Sequence, residues 1–264
     1  ENMEKDSSAK ELNVVILGSK SSQKYLVGNI ILGTNAFDAV DITSDCEKRE
    51  GQVCERRVTL VKTPGWLPGY RLCDTPGLFK TEMILGVSLC PPGLHGFILV
   101  INAELPFRGV HKKATEEHLH HCFGEKVVWR HVIVLFTFGD ALGNKTIEQH
   151  IESEGQPLRW LIEKCGRRYH VLDNWSNADN QVTELLEKME EMVAGNSSFY
   201  LSETDDPQPE EDRSEETNQN KDEDTVSFVS YKPHNAIHPG IKHTPFFFFF
   251  LENTIGDYTK YYWK

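Results

Sequence analysis

Between residues 12 and 195, apolar runs of strand length alternate with longer stretches in which hydrophobic positions recur every three or four residues. The short runs, at 13–17, 53–61, 96–101, 132–136 and 169–172, are mostly rich in Val, Ile and Leu without strict polar alternation, as strands buried on both faces require. Such strands separated by amphipathic helices predict an α/β domain: a mostly parallel sheet with helices on both faces. Helix ends are marked too. Residues 26–32 read as a helix closed by Gly33, and Thr146 with Gln149 makes a capping box ahead of Ile147 and Ile151. Pro157 opens a second short helix that ends near Gly166. Val182, Leu185, Leu186, Met189, Met192 and Val193 form one apolar stripe, expected to pack into a core, with Gly195 as its stop. A strand at 39–43 is expected to pair with 53–61 through the polar turn 48–51.

The same pattern divides the chain of 264 residues into a polar segment at 1–10, a folded domain at 11–200, an acidic linker at 201–225 and an irregular tail at 226–264. Residues 203 to 224 carry eleven acidic and two basic side chains, most of the net charge of -12. With almost no apolar side chains, this stretch cannot offset the entropy of ordering and is expected to be disordered. The remainder offers no basic face of the kind that neutralises phosphates along DNA or RNA, which argues against nucleic acid as a partner. In the tail, Phe246 to Phe250 and Leu251 are too few to cross a bilayer as a helix, which takes roughly 20 residues. The tail reads as an irregular terminus, with weak adhesion to a membrane or partner as the second reading. Six cysteines stand singly, without a C-x-x-C pair, which suits a reduced, cytoplasmic setting. No secretory signal is visible in the polar opening residues, and the missing initiator Met leaves room for further chain upstream.

Candidate chemistry begins where the first strand ends. Gly18, Ser19, Lys20, Ser21, Ser22, Gln23 and Lys24 lead into the helix at Tyr25 and Leu26. A strand, a tight loop ending in Lys and a helix N-terminus together cradle phosphate, because consecutive backbone N–H groups and the helix dipole face the anion while the ammonium adds charge. The strict pattern is G-x-x-x-x-G-K-[ST]. Here Gln23 replaces the second Gly and must accept strain or reshape the loop. Tyr25 replaces the short hydroxyl that normally ligates Mg²⁺. Further along, Thr137, Phe138, Gly139 and Asp140 end a buried strand, where ligands of open α/β sheets bind. A carboxylate there can accept both the N1–H and the amino group of guanine. Residues 168–174 end another strand with polar side chains suited to the base and its carbonyl.

These blocks, with residues 89–100 before the central strand and the Gly-Asn-Ile-Ile-Leu-Gly run at 28–33, resemble the GIMAP family of immunity-associated GTPases over roughly residues 13–194. The resemblance implies a Ras-like P-loop G domain related to septins and chloroplast import GTPases. It implies GTP or GDP as ligand, phosphates held by 18–26, Thr43 in the first switch, Asp140 reading guanine and Asn174 flanking it. It also implies homo- or hetero-dimerisation through the nucleotide face, and work in the cytosol or at intracellular membrane surfaces.

A D-x-x-G motif contacting the Mg²⁺ shell and the γ-phosphate has two placements. Asp74, Thr75, Pro76 and Gly77 match literally, whereas Lys62, Thr63, Pro64 and Gly65 follow directly on the stronger strand and lie at the more family-like spacing from Lys24. The second placement puts a lysine where the acidic Mg²⁺ partner belongs, so that hydrolysis should suffer more than binding; with Asp74 folded back, some activity could survive. Phe138 stands where many G domains have a lysine and can stack on a purine, worth about 1–3 kcal/mol. Two classes therefore remain: a nucleotide-dependent assembly switch with weak or no hydrolysis, and an interaction module of the same fold that no longer takes nucleotide. His118, His120 and His121 are read as a solvated helix surface rather than a metal site, and His95 as structural.

Overall fold

The computed structural model describes residues 10–39, 45–173 and 178–196. In chain order the elements are β1 (Lys10–Leu17), α1 (Lys24–Leu32), β2 (Glu47–Val53), β3 (Arg56–Lys62), α2 (Gly77–Ser88), β4 (Gly96–Asn102), α3 (Gly109–Phe123), α4 (Glu125–Val128), β5 (Val132–Thr137), α5 (Ile147–Glu154), α6 (Gln156–Lys164), β6 (Tyr169–Val171) and α7 (Ala178–Gly195). The strands form one sheet in the order β2-β3-β1-β4-β5-β6. All neighbouring pairs are parallel except β2 with β3.

Because successive side chains of a strand point to opposite faces, the Val- and Ile-rich strands feed two separate cores. Val15, Leu17, Val61, Phe97, Leu99, Val134 and Phe136 pack with residues of α2, α3, α5 and α6 on one face. Val14, Ile16, Leu60, Ile98, Val100 and Leu135 pack with Val27 and Ile31 of α1 and with the apolar stripe of α7 on the other. Leu185, Leu186 and Met189 are fully buried, so the stripe is core. The capping box forms, with Gln149 N–H donating to Thr146 Oγ1 at 3.3 Å and Thr146 N–H to Gln149 Oε1 at 3.1 Å. Gly33 closes α1 at φ 64°, its N–H donating to carbonyls of the last turn. Among the described residues no helix is long and apolar enough to cross a membrane.

One element differs from expectation. Residues 53–61 are not a single strand, and residues 48–51 are not a turn: they lie inside β2, which pairs with β3 from Glu47↔Lys62 to Val53↔Arg56. The chain reverses at Cys54 and Glu55, both at positive φ (48° and 62°). The polar run looks like a turn because β2 is an edge strand whose polar side chains pair within the strand, Lys48 with Glu50 at 2.8 Å, and across to β3, Glu50 with Arg57 at 3.2 Å. The strand expected at 39–43 falls largely outside the described residues, as do Thr43, Asn174, the acidic linker and the Phe-rich tail.

Candidate functional site

Five parallel strands point their C-terminal ends the same way, and this gathers the loops that follow β1, β3, β4, β5 and β6 along one edge of the sheet. The loop after β1 is tightly wound. Ser22 donates to the Ser19 carbonyl through both its backbone N–H (3.1 Å) and its hydroxyl (2.7 Å). Gly18 has no room for a side chain: a Cβ there would lie 2.5 Å from Ser22 Oγ and 3.0 Å from the Val100 carbonyl. Gln23 takes the left-handed conformation, φ 58° and ψ 47°, that the missing second glycine would adopt freely. The substitution is therefore absorbed as local strain and the loop keeps its turn into α1.

Lys24 is fully buried beneath this loop, donating to the carbonyls of Gly18 at 3.3 Å and Ser19 at 3.2 Å. A buried ammonium at a helix N-terminus places positive charge beneath the loop, which favours an anion there. The Tyr25 ring is half-buried against the apolar cluster that α1 shares with α7.

The segment after β3 closes on this loop. Thr63 donates to the Ile16 carbonyl through its N–H (3.2 Å) and its hydroxyl (3.0 Å), and the Lys20 N–H donates to Trp66 O at 2.8 Å. Gly65 passes so close that a Cβ would lie 2.5 Å from Lys24 Nζ and 2.8 Å from the Lys20 amide nitrogen. Lys62, Thr63, Pro64 and Gly65 thus take the place beside the loop, and Lys62 is 1 % exposed with its Nζ 2.7 Å from Glu47 Oε1. Asp74 is exposed, in a single turn (Leu72–Asp74) docked on α3: Arg71 pairs with Glu117 at 2.7 Å, the Leu72 N–H donates to Glu117 at 3.1 Å, and Thr75 meets His118 at 2.8 Å.

At the far end of the edge, Phe138 is held at φ 59° and ψ 43°, and the Gly139 N–H donates to the Leu172 carbonyl at 3.1 Å. A Cβ on Gly139 would lie 2.2 Å from Asp173 Oδ1 and 2.4 Å from Val171 Cγ1, so only glycine lets the loops after β5 and β6 meet. Asp140 is exposed, in the turn that follows. Asp173 is fixed by Gln181 of α7, whose side chain accepts the Asp173 N–H at 2.8 Å.

Two sequence expectations change here. Arg168 sits at the opposite end of β6 from the base loops and donates to Trp129 O (2.6 Å) and Val132 O (3.2 Å), so it ties β6 to the turn before β5 instead of facing a ligand. The histidines at 118, 120 and 121 do not form a solvated surface. His118 is buried, donates from Nδ1 to Ala114 O at 2.7 Å and stacks on Trp66 at 5.0 Å, while His120 accepts the Trp129 indole N–H at 2.8 Å; only His121 is exposed. His95 accepts the Asn13 N–H at 2.8 Å. Glu47 and Trp66 were not legible as site residues; Glu47 enters only through the β2–β3 register, which the mistaken turn concealed.

A phosphate-type loop after β1, a glycine segment after β3 and a glycine–acid turn after β5, on this sheet order, define a P-loop G domain. Solved structures agree at the level of fold. The chain matches Toc33 from Arabidopsis thaliana, determined in complex with GDP and Mg²⁺, with a TM-score of 0.56 and 11% identity over 70% of this chain and 85% of that one. A structure titled for the importance of dimerisation to the GTPase activity of chloroplast translocon components atToc33 and psToc159 matches with a TM-score of 0.55 and 13% identity, over 71% and 85%. The model of the AIG1 family matches residues 12–222, and the chain belongs to that family. GTPase IMAP family member 8 of Homo sapiens is 29% identical over 198 residues, 72% of this chain and 29% of the relative. Its Mus musculus counterpart is 27% identical over 179 residues, 66% and 26%. The chain spans less than a third of the length of these relatives.

Proposed function

We propose that this chain binds guanine nucleotide and acts as a nucleotide-dependent assembly switch with weak or no hydrolysis. One observation carries the reading: the loop from Gly18 to Lys24 turns into α1 through a left-handed Gln23 above a buried Lys24, which supports a phosphate cradle although the sequence has lost the second glycine. Diphosphate is held by loop and α1 amides with Lys24, and guanine by Asp140, with the Phe138 ring beside the base and Gly139 permitting the approach of Asp173. Binding is better preserved than turnover. Tyr25 has no short hydroxyl to offer, Lys62 replaces a carboxylate, and the exposed Asp74 is docked on α3, so this donor set does not fit Mg²⁺. Assembly across the nucleotide face is supported by the exposed Leu67, Tyr70 and Leu78, which closely follow Gly65 in sequence.

A titration of the protein with fluorescent GDP and GTP tests this directly. Micromolar binding with negligible phosphate release is the expected result, and a guanine preference that disappears in Asp140→Ala locates the base. Absence of binding at millimolar protein would instead favour the second reading, an interaction module that has kept the fold; the Lys20 and Ser22 N–H groups, already donating to the carbonyls of Trp66 and Ser19, are the observation on its side.

A further inference from the structure

The C-terminal end of β3 carries a charge that the nucleotide reading alone does not use. Along β3, Val58 and Leu60 pack on the face that carries Val27 and Ile31 of α1. By the two-residue period of a strand, the next side chain on that face is Lys62, at the last position of β3, level with the end where α1 begins. Its ammonium is buried there, 2.7 Å from Glu47 Oε1, and Glu47 lies directly opposite in the β2–β3 register. The backbone just beyond cannot drift, because Thr63 is double-bonded by hydrogen bonds to the Ile16 carbonyl and Gly65 abuts Lys24 Nζ. Tyr25, in the first turn of α1, is on this same side of the sheet, since its ring packs with that cluster. The two positions that would ligate a metal thus fall on one side of one corner, and both are occupied by groups that cannot ligate it.

We infer that Lys62, oriented by Glu47, is the resident cation of this corner: its ammonium neutralises nucleotide phosphate in place of Mg²⁺, and nucleotide binding is indifferent to divalent metal. This deepens the nucleotide-binding reading and rests on it. The chemistry is that of a charge-assisted N–H···O bond to phosphate from a donor already desolvated and fixed by a carboxylate, so little ordering remains to be done on binding. A doubly charged ion brought to the same corner would have to compete with the Lys62 ammonium for the Glu47 carboxylate.

The test measures affinity for fluorescent GDP in excess EDTA and in millimolar Mg²⁺, on the full chain. The wild-type affinities should agree within about twofold. Lys62→Met should weaken GDP about tenfold in both buffers, with Lys62→Arg restoring most of it, because the charge and not the packing is at issue. The double variant Tyr25→Ser/Lys62→Asp should become metal-dependent, binding at least about tenfold tighter with Mg²⁺ than with EDTA. Wild-type binding that needs Mg²⁺, or a folded Lys62→Met with unchanged affinity, overturns the inference and leaves nucleotide binding standing. No GDP binding in either buffer overturns both together. Should Lys62→Met fail to fold, the wild-type comparison in the two buffers still decides.

Discussion

Gln23 and Gly65 show how single residues set the loop. A non-glycine side chain in the left-handed region costs roughly 1–2 kcal/mol, while a glycine at the same site returns roughly 0.4–1 kcal/mol of flexibility to the unfolded chain. Relief of strain is the larger effect. Gln23→Gly should therefore stabilise the protein by about 0.5–1 kcal/mol, read as a higher urea midpoint at unchanged slope. Gly65→Ala acts in the opposite sense, since its Cβ would come within 2.5 Å of Lys24 Nζ and 2.8 Å of the Lys20 nitrogen. It should cost about 1–3 kcal/mol and loosen the loop, so that GDP affinity falls about tenfold or more by titration. The Gln23 site was readable from sequence as a conflict between residue type and motif. The crowding at Gly65 was not, because it brings together residues 41 positions apart in the chain, Lys24 and a segment that follows β3.

Among elements, the β2–β3 hairpin is the least conventional. Its two reversal residues both have positive φ yet are Cys54 and Glu55, where Asn-Gly would be usual. What holds it is contact with α7: Arg56 pairs through Nε and Nη2 with the two carboxylate oxygens of Glu190, at 2.7 and 3.0 Å, and Cys54 Sγ lies 3.1 Å from Thr183 Oγ1. Glu55→Gly should raise stability by up to about 1 kcal/mol, and Glu190→Ala should lower it by about 1–2 kcal/mol by leaving Arg56 without its forked partner; thermal denaturation reads both. Strand positions rich in Val and Ile, the capping box and the glycine stop of α1 were legible because each is decided within a few residues. The hairpin is not legible locally, because pairing with β3 and packing on α7 outweigh the turn preference of residues 48–51.

Over the whole molecule, burial has one further consequence. His95, His111, His118, His150 and His170 all have their pKa pushed below the ordinary value of 6.5, in each case chiefly by burial. The unfolded chain then takes up protons that the folded one refuses as pH falls through about 6.5, so stability is full above that value and is lost towards the folded-state pKa values. Melting temperature should decline between pH 7 and pH 5, before carboxylate pairs such as Arg71–Glu117 and Arg56–Glu190 begin to titrate, and His118→Gln should flatten part of that decline.

Taken by itself, the sequence determined the alternation of buried strands and amphipathic helices, the helix ends, the candidate phosphate loop and the family resemblance. All of these depend on short-range spacing, which backbone sterics and local hydrogen bonds convert into structure without help from distant parts of the chain. The tertiary structure decided that Gly65 abuts Lys24 while the turn of Asp74 docks on α3, with Glu47 set against Lys62 and His118 against Trp66. The reason is physical. Neighbours across a sheet are chosen by register and by the burial of whole faces, quantities summed over several elements, and no local stretch of side chains carries that sum.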